Sequence, residues 1–129
     1  MPITRSRPLD FDAVRAIGMA LPGTEESTAY GSPALKVKGR MYACIPINKQ
    51  AEPQSLAVII DMAMREELIA EDPGTYYIKP HYENYPCVLV RLARIHPDAL
   101  RGLLVAAHRR TSTAKPRARR PVRARKVAR

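Results

Sequence analysis

Between Phe11 and Ile45 the apolar residues change their spacing, and no other feature of the chain limits the fold as much. Phe11, Val14, Ile17 and Leu21 recur at helical intervals behind Asp10, a residue suited to an N-cap, and Pro22-Gly23 ends the pattern. "ALKVK" then alternates, Leu35 and Val37 against Lys36 and Lys38, as a half-buried strand does, and Gly39 marks a tight turn. "RMYACIPI" alternates again, with Met41, Ala43 and Ile45 on one side and Tyr42 and Cys44 on the other, so the two runs predict a hairpin.

Residues 47–54 form a polar loop and "SLAVII" a third strand. Asp61 then caps a helix from Met62 to about Glu71, with Arg65, Glu66, Glu67 and Glu71 as its polar side and "DPG" as its stop. "TYYIK" and "CVLVRLARI" are two further strands joined by "PHYENYP". The last helix opens at Pro97, carries Leu100, Leu103, Leu104 and Ala107 on one face, and is expected to end near Arg110. This order is not the strict alternation of a parallel sheet. It predicts an α+β fold, a largely antiparallel sheet of about five strands packed with three helices.

Charge divides the chain in two. Through His108, 12 Lys and Arg balance all 12 acidic residues, whereas the remaining ten cations, Arg109 to Arg129, meet no acid and account for the formal net charge of +10. Residues 111–129 contain no aromatic residue and no apolar periodicity, a composition that cannot offset the entropy of ordering. The expected organisation is one domain over 1–110 and a disordered basic tail over 111–129. Cys44 and Cys87 both sit in apolar runs and no continuous apolar signal core precedes residue 20, so free thiols in a reducing cytoplasm are expected. The longest apolar stretch, Leu56 to Met64, is interrupted by Asp61 and falls short of the roughly 20 residues that cross a bilayer.

Motifs of catalysis are sparse. The glycines are scattered rather than gathered into a phosphate loop, and neither a zinc-protease pattern nor a paired Cys-x-x-Cys occurs. His81, Glu83 and Cys87 are the densest group of metal-ligand types. Cys87 opens an apolar strand, however, and His96 immediately precedes Pro97, where it reads as a helix cap; no metal, cofactor or catalytic residue is expected. Glu25-Glu26 follows a Pro-Gly turn and reads as a solvated loop rather than an acid–base pair. Tyr76, Tyr77, Tyr82 and Tyr85 admit two readings. They pack, with Tyr76 and Ile78 on one strand face, or they present a stacking surface, with Tyr82 and Tyr85 as the exposed pair.

The ordered set "LPGTEESTAYGSPALKVKGRMYA", "PHYENYPCVLVRL" and "HPDALRGLLVAAHR" resembles the MmcQ/YjbR-like family of small bacterial proteins, from about Phe11 to Arg110. The resemblance implies an α+β fold of the secretion-chaperone or frataxin-like type, described as a double wing and often labelled DNA-binding, with no catalytic residues. "LKVKGR" would then be one wing, with Lys36, Lys38 and Arg40 near its tip, and Lys79, His81 and Tyr82 a neighbouring surface. Relatives often carry Trp at the position of Cys87 and near that of His108, and this chain contains no Trp.

The basic tail supports binding to polyanions, because flexible cations track a phosphate backbone and release its counterions. Ala114-Lys115-Pro116 resembles linker-histone-type repeats. Arg119-Arg120-Pro121 is similar to a minor-groove hook but lacks its Gly, so A·T-specific reading is not expected. Membrane insertion is disfavoured, since the tail has no Phe, Trp or Leu to bury.

The leading expectation is therefore a non-enzymatic, cytoplasmic and even nucleoid-associated DNA-binding protein, a monomer or weak dimer, with RNA as the second candidate partner. Its contacts would be Lys36, Lys38, Arg40, Lys79, His81 and Tyr82 on the body. In the last helix and tail they would be Arg109, Arg110, Lys115, Arg117, Arg119, Arg120, Arg123, Arg125, Lys126 and Arg129. The alternative is a protein-interaction module of secretion-chaperone-like fold with an accessory polyanion-binding tail. A third reading, a small-molecule or enzymatic site around His81, Tyr82 and Tyr85, requires a deep pocket flanked by those residues.

Overall fold

A computed structural model describes residues 9–29 and 31–113. The chain runs α1 (Phe11–Met19), β1 (Thr24–Ala29), β2 (Ser32–Val37), β3 (Arg40–Cys44), β4 (Ser55–Ile59), α2 (Met62–Glu71), β5 (Tyr76–Tyr77), a single 3-10 turn (Pro80–Tyr82), β6 (Cys87–Arg91) and α3 (Pro97–Thr113). The strands make one sheet in the order β1-β2-β3-β4-β6-β5, and every neighbouring pair is antiparallel.

The helices begin where local chemistry directs. Asp10 accepts a hydrogen bond from the Ala13 amide at 3.3 Å and Asp61 one from the Met64 amide at 2.7 Å, each satisfying an amide that the helix cannot pair internally. His96 does the same for α3, its Nδ1 accepting from the Asp98 amide at 3.1 Å. All three helices lie against one face of the sheet. That face carries Leu35, Val37, Leu56, Val58, Val88 and Val90, which meet Val14 of α1 and Leu100, Leu103, Leu104 and Ala107 of α3; Met64 and Leu68 of α2 pack at the margin. Gly18 lets α1 approach closely, because a β-carbon there would stand 2.4 Å from Leu35 Cδ1.

The structure departs from the sequence reading in four places. The α+β class and the antiparallel sheet are as expected, and among the described residues the sheet has six strands where about five were expected. Glu25-Glu26 lies not in a solvated loop but in β1, an edge strand paired over its whole length with β2. An edge strand with a solvated outer side needs no apolar run, and "TEESTA" has none. Second, Tyr42 and Ala43 do not alternate. The register shifts between Leu35 and Lys36, so that Leu35 faces Ala43 and Lys36 faces Met41, leaving Tyr42 as the extra residue of a bulge. Both Tyr42 and Ala43 enter the core, and Met41 and Cys44 are left together on the other face.

Third, α3 continues past Arg110 to Thr113 and buries Thr111, so residues 111–113 belong to the folded body rather than to a tail. Lys115, Arg117, Arg119, Arg120, Arg123, Arg125, Lys126 and Arg129, expected in a disordered segment, lie outside the described residues. Fourth, Arg65 is not on a solvated side of α2; it is buried, for reasons that concern the site.

Candidate functional site

The sheet face away from the helices carries a small second cluster, Ala57, Tyr77 and Leu89, with Cys44, Ala51 and Tyr82 against it. Among the described residues, loops and the Pro80–Tyr82 turn cover this face. Between them is a cleft of about 680 Å³. Its floor is Met41 and Cys44 of β3, Ala57 and Ile59 of β4, and Cys87 of β6. The Ile45–Lys49 segment is one wall; His81, Tyr82, Tyr85 and Pro86 are the other. Strand alternation places the floor residues on one side, and the bulge at Tyr42 adds Met41 to them.

Two buried or half-buried arginines hold the loops in place. Arg65, only 5% exposed, reaches from α2 into the backbone of the "PHYENYP" loop. Its guanidinium donates to the carbonyls of Glu83 at 3.0 Å, Tyr85 at 3.0 Å and Cys87 at 3.2 Å, and its Nε is buried with no hydrogen-bond partner. A cation thus meets three carbonyl dipoles at once, of which the Tyr85 carbonyl also accepts from the Cys87 amide at 2.8 Å. Arg91 performs a comparable task at the other end of the face. It grips Glu52 through both carboxylate oxygens at 2.8 and 2.7 Å, donates to the carbonyls of Pro73 and Gly74, and lies 4.3 Å from the centre of the Tyr77 ring. The Tyr77 hydroxyl shares a hydrogen bond with Ser55 and accepts one from the Glu52 amide.

Within the cleft, burial keeps two thiols and one phenol protonated. Burial pushes both thiols up to about 11, Cys44 with a further contribution from Cys87. Burial also raises the Tyr82 phenol. Cys44 and Cys87 are free, and β4 lies between their strands. Among the described residues no three His, Cys, Asp or Glu side chains converge as a metal site would require.

The residues expected to contact a nucleic acid are dispersed. Lys36, the penultimate residue of β2, lies opposite Glu25 and close to the β2–β3 turn. Lys38 occupies the β2–β3 turn with positive φ beside Gly39, and its Nζ donates to the Ser112 carbonyl at 3.1 Å, where a cation meets the negative end of α3. Arg40 opens β3 opposite Val37, on the helical side. Arg109 and Arg110 line a separate recess with Asp61 and Met64. Lys79 rests 5.8 Å from the centre of the Tyr77 ring. His81 and Tyr82 instead belong to the cleft, their rings edge to face at 4.8 Å.

The tyrosines divide between the two readings. Tyr76 packs in the main core and Tyr77 in the second cluster, Tyr82 is half-buried, and Tyr85 is 56% exposed. The cleft is flanked by His81, Tyr82 and Tyr85, the three residues of the small-molecule reading. Its remaining wall, Ile45 to Lys49, was not singled out from the sequence, where it reads as strand end and polar loop.

Fold and site together define an α+β domain with one helix-covered face and one open, cleft-bearing face. A YjbR family model matches residues 19–110, and the chain belongs to that family. Among solved structures it is similar to Deinococcus radiodurans protein DR2400, described as a DUF419 domain, with a TM-score of 0.68 and 23% identity over 90% of this chain and 88% of the other. It is also similar to "Uncharacterized protein Rv2570" of Mycobacterium tuberculosis and "Uncharacterized protein Mb2600" of Mycobacterium bovis, each 43% identical over 49 residues. Those matches span 38% of this chain and 38% of each relative. Among the described residues no helix is long and apolar enough to cross a membrane.

Proposed function

We propose that the protein is a non-enzymatic nucleic-acid-binding protein of the cytoplasm, in which the cations from Arg109 to Arg129 hold the phosphate backbone and the β2–β3 hairpin orients the body against it. The observation that carries this reading is the partition of charge: the body to His108 is neutral, and the ten excess cations follow it with no acid among them. Its support from the fold is the Lys38–Ser112 contact, which sets the hairpin tip beside the end of α3, after which the basic sequence continues. The free thiols of Cys44 and Cys87 fit a reducing compartment. Duplex DNA is the leading partner and RNA the second. A protein partner adding a strand to β1 is disfavoured, because exposed Glu25 and Glu26 guard that edge against pairing.

The test is fluorescence anisotropy with labelled duplex DNA at about 50 and 200 mM salt, a range over which phosphate contacts reveal themselves. The full chain is compared with a variant in which the eight cations from Lys115 to Arg129 are replaced by Gln. If most of the ten cations engage, log K falls with log[salt] at a slope on the order of −5 to −9, and the Gln variant loses most of that slope. A wild-type chain that fails to bind at the lower salt, or a Gln variant that binds equally well, defeats the reading.

A further inference from the structure

We propose that the cleft on the open face binds a small aromatic anion, its hydrocarbon ring lying over Ala57 between Ile47 and Tyr85 and its single negative group, a carboxylate or sulfonate, meeting Lys49 at the rim.

Size comes first. About 680 Å³ lies within the range of cavities that enclose small molecules, and the lining is mostly apolar with a few polar groups, the usual composition of such sites. The hollow has a structural cause. At its centre the floor residues are short, Ala57 and Cys44 on adjacent strands, while Ile47 at 59% exposure and Tyr85 at 56% stand on opposite walls. Large apolar side chains left this exposed across a common hollow are explained by a ligand that covers them.

The floor also restricts what kind of ring can enter. Met41, Ala57 and Ile59 have no side-chain hydrogen-bonding hydrogen, the two thiols are weak donors kept protonated by burial, and the Tyr82 oxygen already accepts from the Asn48 backbone amide. A nucleobase edge would therefore lose its partners in water and find poor replacements, whereas a hydrocarbon ring loses nothing. The His81, Tyr82 and Tyr85 rings offer edges and faces for aromatic contact on one wall.

Charge chooses the sign of the remaining group. Lys49 is exposed at the rim, and among the described residues none of the side chains lining the cleft is a carboxylate. An anionic substituent meets attraction without a competing acid, and a cationic one finds no counter-charge. Arg65 acts here as a positioning residue, since its three carbonyl contacts hold the wall that carries Tyr85.

Two dyes test the proposal on the full chain by fluorescence titration: 1-anilinonaphthalene-8-sulfonate, an aromatic anion, and N-phenyl-1-naphthylamine, its uncharged counterpart. Ala57→Phe, which fills the floor, is expected to weaken both dyes about tenfold or more, a change of about 1.4 kcal/mol. Lys49→Gln is expected to weaken the sulfonate alone by about two- to fivefold, as loss of an exposed ion pair does. The chain whose eight cations from Lys115 to Arg129 are Gln should bind both dyes as the wild type does. Should Ala57→Phe fail to fold by circular dichroism, the double variant Ile47→Asp, Tyr85→Ser at the exposed walls replaces it and should lose both dyes. The proposal is overturned if the dyes bind the filled or wall-altered cleft unchanged. It is equally overturned if Lys49→Gln keeps the preference for the anion, or if dye binding disappears with the basic segment.

Discussion

The two faces of the sheet are made by the same strands and differ in what covers them. On one, alternate residues of β2, β4 and β6 are branched and large, and three helices close over them. On the other, the residues in between are shorter at the centre, and the cover is loop. Helices satisfy their own backbone and bring only side chains to an interface, so the helical face needs apolar packing and little else. Loops lack the regular pairing of a helix, and on the open face cations donate to their carbonyls: Arg65 at the Glu83–Cys87 wall, Arg91 at Pro73 and Gly74. One face is therefore held mainly by burial and the other mainly by directed hydrogen bonds.

The contrast is broken or sharpened first by truncating a residue on each face. Leu56 is fully buried beneath α3, and Leu56→Ala is expected to cost about 2–5 kcal/mol in chemical denaturation, the lost transfer energy plus the cavity left behind. Ile47→Ala on the cleft wall, at 59% exposure, should change stability by no more than about 0.5 kcal/mol. Equal losses at both positions would mean that the open face is as tightly packed as the covered one.

Arg65→Met is expected to have the next largest effect, about 2–4 kcal/mol, since hydrogen bonds from a charged donor are the stronger kind and three carbonyls lose theirs together. The loss should be local in its first expression. Hydrogen exchange in the 83–87 loop and dye binding in the cleft should change before the helical face does. Arg65→Lys should restore little, because a compact ammonium cannot span three carbonyls as the guanidinium fork does. A Met variant with unaltered loop exchange would remove Arg65 from any part in shaping the cleft.

The helical face was legible in the sequence and the open face mostly was not. Apolar stripes at Phe11, Val14 and Ile17 and at Leu100, Leu103 and Leu104, together with caps at Asp10, Asp61 and His96, are local signals, and each helix begins where its residues indicated. β1 was missed because an edge strand with a solvated side is free of the apolar alternation by which strands are recognised. The bulge at Tyr42 was missed because the contacts of that side chain lie outside the hairpin, where its OH shares a 2.9 Å hydrogen bond with Thr24 of β1 and its ring meets His108 of α3 edge to face. Arg65 read as a surface charge because its partners come 18 to 22 residues later and are backbone atoms, which have no sequence signature. His81, Tyr82 and Tyr85 were visible as a group, but their opposite wall and the small floor residues that make them a cleft depend on strand register.

The smallest effect separates the two arginines of the open face. Arg91 differs from Arg65 in having a carboxylate partner, and that makes its contribution titratable. The Arg91 hydrogen bonds, with smaller help from the charges of Arg91 and Lys79, hold the Glu52 carboxyl below its ordinary value of 4.5. A carboxyl whose pKa is lower folded than unfolded binds protons more tightly in the unfolded chain. The stability it confers is therefore present above 4.5 and lost as the pH falls through the folded value. The pair is partly exposed, with 27% and 39% of the two side chains accessible, so solvent limits its worth to about 1 kcal/mol or less. Glu52→Gln should accordingly melt slightly below the wild type at neutral pH, with the gap closing in acid once Glu52 itself is protonated. Thermal melts of both chains across that range decide the matter. A gap that persists unchanged below the folded value would assign the effect to the geometry of the amide rather than to charge, and Arg91 would then hold its loops, like Arg65, through carbonyls alone.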